Sequence, residues 1–79
     1  MPYLNFHAAR VKSPALFERI VVLRTLSNGV MIYGGPLKRG GGSTAQAYRF
    51  PKAKFTAEEA KAWLKRNNIG YIMFEKATG

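Results

Sequence analysis

The chain has 79 residues, with thirteen Lys and Arg against four Glu and a formal net charge of +9. A chain this short is one domain, 1–79, and buries roughly 60–65% of its unfolded surface, so modest stability is expected. An apolar fraction of 47% with five Phe, four Tyr and one Trp supplies a core and excludes disorder throughout, while zero cysteines exclude disulfides and thiolate metal ligands.

The N-terminal stretch MPYLNFHAARVK has no apolar run of signal-peptide length, and no segment approaches the ~20 apolar residues of a membrane span. A protein that is intracellular, or made inside a cell and assembled there, is the expectation, and no membrane partner is expected. A basic excess of this size attracts polyanions, either nucleic acid or an acidic protein surface, or serves solubility.

Tyr3 to Val11 alternates weakly, with Leu4, Phe6 and Ala8 on one side, and reads as an edge strand. Ser13-Pro14 breaks it, because the residue before proline avoids the helical region. Ser13 as an N-cap with Pro14 at the first helical position predicts one short helical turn. Arg19 to Leu26 is rich in β-branched residues and apolar on both sides, which predicts a strand that is central or covered on both faces. Ser27-Asn28-Gly29 follows as a tight turn. Asn-Gly accepts positive φ at both central positions of a two-residue hairpin, with Val30 to Tyr33 as the return strand.

Residues 34–44 form a glycine-rich basic stretch, expected to be a flexible loop. Ala45 to Phe50 alternates again, Gln46, Tyr48 and Phe50 opposing Ala47 and Arg49, as a strand paired across that loop. Thr56 with Glu59 three residues on makes a capping box, preceded by apolar Phe55. Ala60, Trp63 and Leu64 form the stripe that faces the sheet, with Trp63 expected to be largely buried. Asn67-Asn68 and Gly70 end the helix, and Tyr71 to Phe74 is a last strand. The fold class is α+β: a small mixed or antiparallel sheet of about four strands with one helix packed on a face.

Little here supports chemistry. Gly35 to Gly40 has the outer spacing of a phosphate-binding loop, but Gly41-Gly42 stand where Lys and Ser/Thr are needed, and a strand follows instead of a helix. His7 is the one histidine and lacks companions for a metal site. Ser13, Ser27, Ser43 and Thr56 all have local roles at caps, turns or loops. No catalytic residue, metal ligand or cofactor is therefore expected, and the chain is not expected to be an enzyme. The candidate binding residues, for nucleic acid or an acidic partner, are Lys38, Arg39, Arg49, Lys52 and Lys54. Tyr33, Tyr48 and Tyr71 either line the core or serve as stacking platforms beside these cations.

Five stretches in order carry a resemblance: His7 to Val11, Ser13 to Phe17, Val30 to Gly34, Tyr48 to Lys52, and Phe55 to Ala60. Together they resemble a small module encoded in tailed-phage and prophage genomes, found at the ends of prohead-protease-like and other structural-operon proteins. The resemblance spans nearly the whole chain and implies a free-standing, non-catalytic viral module acting in virion or prohead assembly through a structural-protein partner. Where such modules carry cysteine this chain has Ala9, and where they carry His-Cys it has Trp63-Leu64, so no thiol or metal role carries over. A sequence-nonspecific nucleic-acid-binding protein is the alternative. The partner's identity and the oligomeric state stay open.

Overall fold

A computed structural model describes residues 3–79. The chain runs β1 (Phe6–Arg10), a 3-10 turn (Pro14–Leu16), β2 (Val21–Thr25), β3 (Met31–Pro36), β4 (Ser43–Pro51), α1 (Ala57–Arg66) and β5 (Met73–Glu75). The five strands form one sheet in the order β2-β3-β4-β1-β5, with every neighbouring pair antiparallel. The fold is α+β, with five strands where the sequence suggests about four.

Local chemistry explains the helical segments. Thr56 Oγ1 accepts from the Glu59 amide at 3.1 Å and Glu59 Oε1 accepts from the Thr56 amide at 2.8 Å, so two otherwise orphaned amides are satisfied reciprocally. Replacing Thr56 with Ala is expected to cost about 0.5–2 kcal/mol in a urea titration; an unchanged midpoint would refute the cap's importance. At the other end Asn68 adopts φ 56, the Ile69 amide donates to Leu64 O and the Asn68 amide to Lys65 O. This is a Schellman stop with Asn in the left-handed position. Ser13 Oγ accepts from the Ala15 amide and starts the 3-10 turn as expected.

The β2–β3 connection corrects the two-residue turn. Leu26 N donates to Val30 O and Gly29 N to Leu26 O, leaving three residues in the loop. Only Gly29 has positive φ (93°), and Asn28 instead accepts from the Val30 amide through Oδ1. A three-residue hairpin ending in a left-handed glycine matches strand twist as well as the two-residue form does.

Two strand positions are also corrected. The first strand is interior, since β1 pairs with β4 on one side and β5 on the other. β2 is the edge, and all five of its residues are exposed. The helix covers the other end of the sheet. The core gathers Ala9 of β1, Phe50 and Tyr48 of β4, Phe74 of β5, Val30 and Leu26 at the hairpin base, and Ala60, Leu64 and Trp63 of α1. No residue of β2 itself joins it. Trp63 packs edge-on against Phe50 with centroids 5.7 Å apart but remains partly exposed, less buried than its place in the stripe suggests.

The glycine-rich stretch 34–44 is strand at both its ends. β3 continues to Pro36 and β4 begins at Ser43, so the connection proper is 37–42. The 3-10 turn segment ties it down: Phe17 bridges Leu37, Lys38 N donates to Leu16 O, and Leu37 N donates to Gly42 O. A bulge between Tyr33 and Gly34 makes Gln46 the extra residue of β4. Gln46 is buried, its carbonyl accepts from Val11 N and Lys12 N, and its Nε2 donates to Lys12 O. The bulge thereby anchors the segment that leaves β1.

Candidate functional site

The five cations expected to bind do not form one site. Lys38 and Arg39 are exposed at the β3–β4 tip, whereas Lys52 and Lys54 are exposed in the turn between β4 and α1. β4 joins these places with nine residues, which at ~3.3 Å per residue is about 30 Å. The two pairs therefore lie at opposite ends of the sheet. Arg49 lies between them, on the sheet face that α1 leaves open.

That face follows from strand alternation. Ala9, Tyr48 and Phe74 turn toward α1, so their neighbours point away from it: Ala8 and Arg10 in β1, Ala47 and Arg49 in β4, Met73 and Glu75 in β5. β3 adds Met31, opposite Arg49, and Tyr33, opposite Ala47. The Arg49 guanidinium lies over both the Tyr3 and the Tyr33 rings, 4.0 Å from each centroid. Its Nη1 donates to Tyr33 Oη at 3.1 Å and its Nη2 to Tyr3 Oη at 2.6 Å. One cation thus holds two tyrosines in a stack by cation–π attraction and hydrogen bonding. Tyr3 is itself positioned by the far end of the chain, where Thr78 N donates to Tyr3 O and Gly79 N to Leu4 O.

A hollow of about 210 Å³ lies beside this stack, with Ala8, Ala47, Arg10 and Glu75 among its lining. A second, of about 290 Å³, is lined by Ala15, Leu16 and Leu37 with Lys12, Lys38 and Arg39. Nothing local in the sequence marks Lys12; the 3-10 turn packing on the β3–β4 tip brings it there. Tyr33 carries a period-2 signal shared with Met31, whereas no neighbouring residue marks Tyr3 as Arg49's partner.

The remaining chemistry-bearing residues are accounted for by structure. His7 Nε2 donates to Phe55 O and Nδ1 accepts from Ala77 N, both at 2.9 Å, so one tautomer satisfies both bonds in a buried site. Its ring stacks on Phe74 at 6.3 Å. Tyr48 packs against Trp63 on the helix side, and burial pushes its phenol above the ordinary pKa. Tyr71 lies beside Phe74, away from Arg49. Among the described residues no group of three or more His, Cys, Asp or Glu can hold a metal ion, and no helix is long and apolar enough to cross a membrane. No family model, curated protein or solved structure matches the chain.

Proposed function

We propose that this chain is a non-catalytic binding module of phage particle assembly that docks on a structural protein by accepting an extended segment at the free edge of β2. It would act inside the infected cell or in the particle. The observation that carries this reading is the character of that edge. Val21, Val22 and Leu23 are 45%, 46% and 43% exposed in a strand paired on one side only. Exposed apolar edges invite strand addition, in which main-chain hydrogen bonds supply affinity and alternate side chains supply specificity. The resemblance to phage structural-operon modules supports the biological setting.

The chemistry of the segment follows from what flanks the edge. Arg19 and Arg24 are both exposed at its two ends, on a chain of net charge +9. An antiparallel partner strand with apolar residues at its centre and carboxylates at its ends fits. A second copy fits poorly, because β2 against β2 sets arginine near arginine, and like charges facing across strands destabilise pairing. The bulge between Val22 and Arg24 further discourages regular self-association.

The test is a titration with a short synthetic peptide having valines at its centre and glutamates at both ends, read by amide hydrogen exchange. Protection is expected at Val21–Thr25, with no binding by the same peptide N-methylated along one edge. Protection confined to other elements, or no binding at all, overturns the reading. The Val21→Lys/Leu23→Lys variant, which alters two half-exposed side chains outside the core cluster, is expected to stay folded and lose the protection.

A further inference from the structure

We propose that the open face of the sheet is a second, independent site that binds single-stranded nucleic acid, one base entering the hollow beside the Tyr3–Arg49–Tyr33 stack and the backbone running over the 3-10 turn toward Lys38 and Arg39. Proteins that hold single strands pair aromatic platforms with cations that track the phosphates. The platform lies on this face and the further cations line the adjoining hollow at the β3–β4 tip, and both are assembled by tertiary structure.

The platform is pre-formed. Arg49 fixes the two tyrosines by donating to both hydroxyls while lying over both rings, so little side-chain freedom remains to be lost when a base stacks on Tyr3, the more exposed of the two. The hollow's small residues, Ala8 and Ala47, let a planar ring approach the sheet backbone. Its polar lining suits a base edge. Arg10 donates to ring nitrogens or carbonyl oxygens, and the Glu75 carboxylate accepts from an exocyclic amine. A lone carboxylate among cations is not expected of a site for acidic peptides.

The track is contiguous in the chain. Arg10 lines the first hollow and Lys12 the second; Pro14 lines the first and Ala15-Leu16 the second. The two hollows therefore adjoin across the 3-10 turn. Leaving the stack, a strand passes from Arg49 and Arg10 to Lys12 and then to Lys38 and Arg39. Duplex DNA has its bases paired within the stack and cannot place one in the hollow without flipping it.

The experiment is fluorescence anisotropy with labelled single-stranded DNA and RNA oligonucleotides and a duplex of equal length, at two salt concentrations. Tight binding of either single strand, weaker binding of the duplex and steep weakening with salt are expected. Tyr3→Ala is expected to weaken single-strand binding roughly fivefold to a hundredfold, the usual worth of one base–aromatic stack. Lys38→Gln/Arg39→Gln is expected to flatten the slope of log affinity against log salt by about 0.7 for each phosphate that is no longer neutralised. The charge-matched control is Lys61→Gln/Lys65→Gln on the exposed side of α1. If the control weakens binding as much, the effect is net charge and the site is refuted. Equal affinity for duplex, or no binding at low salt, refutes it as well. Should Tyr3→Ala fail to fold, ultraviolet cross-linking of the wild-type chain to a bromouridine oligonucleotide decides: adducts on Tyr3 or Tyr33 support the site, and adducts confined to α1 overturn it. The β2 edge lies outside these variants, so the two proposals fail separately.

Discussion

Replacing Phe50 with alanine is expected to unfold the domain or bring it close to unfolding. Phe50 is fully buried on the helix face of β4, edge-on to Phe55 at 5.3 Å and to Trp63 at 5.7 Å. It opposes His7 in the β1–β4 register, so its ring fills the space between the sheet's centre and the start of α1. Truncation removes the transfer energy of a phenyl group and leaves a cavity that the surrounding strands cannot close, together about 3–5 kcal/mol. A domain of this length has roughly 4–12 kcal/mol to lose, at about 0.05–0.15 kcal/mol per residue. Chemical denaturation monitored by tryptophan fluorescence measures the effect, and a midpoint within error of wild type would refute this packing.

Gly34→Ala is expected to be the most damaging glycine substitution, for a reason of space alone. A Cβ at this position collides with the Thr44 carbonyl oxygen and comes within 2.9 Å of both Ala45 Cα and Leu23 Cδ1. Two of these three neighbours are backbone of β4, and Ala45 is the residue paired with Gly34 beside the bulge. The strands have to part to admit a methyl group. Overpacking of this kind costs about 1–3 kcal/mol and occasionally more, and rigid backbone neighbours place Gly34→Ala at the upper end. Gly70, with nothing within 4 Å and no positive φ, is the control, and Gly70→Ala should leave the urea midpoint almost unchanged. Equal midpoints for the two variants would show that β3 and β4 do not approach so closely.

Gly34 also marks where the sequence misleads. Read locally, Gly34-Gly35-Pro36 followed by basic residues and three more glycines looks like one long loop. In the fold the first two glycines are strand residues whose missing side chains admit neighbouring backbone, Thr44 for Gly34 and Arg19 for Gly35. Only Gly40, Gly41 and Gly42 serve the turn itself, all with positive φ and open space around them. A glycine needed for close approach and one needed for backbone conformation are identical in sequence, and only the neighbours distinguish them.

Strand position misleads in the same way. Arg19 to Leu26 is apolar on both sides, the pattern of a covered central strand, yet β2 is the exposed edge. The weakly alternating first segment lies inside the sheet instead. Its Ala8 and Ala9 are buried because β4 and β5 flank them, not because they are strongly apolar. The mismatch at β2 is what motivates the docking proposal, since an edge more apolar than solvent exposure favours calls for a partner.

By itself the sequence determined whatever depends on residues a few positions apart. That covers the α+β class, the Thr56–Glu59 box, the Ser13 cap, the helix stop, the presence of a turn at 27–29 though not its type, and the stripe of Ala60 and Leu64, because caps, turns and periodicity are short-range hydrogen bonding and sterics. Only the tertiary structure decided which strand is an edge and which cations share a surface. Lys38 and Lys52 are separated by the length of β4, while Tyr3, Tyr33 and Arg49 meet through antiparallel register and a tail that folds back on the first strand. Register and strand order are set by which apolar faces α1 can cover at once. That is a property of the whole packed core, and no window of neighbouring residues contains it.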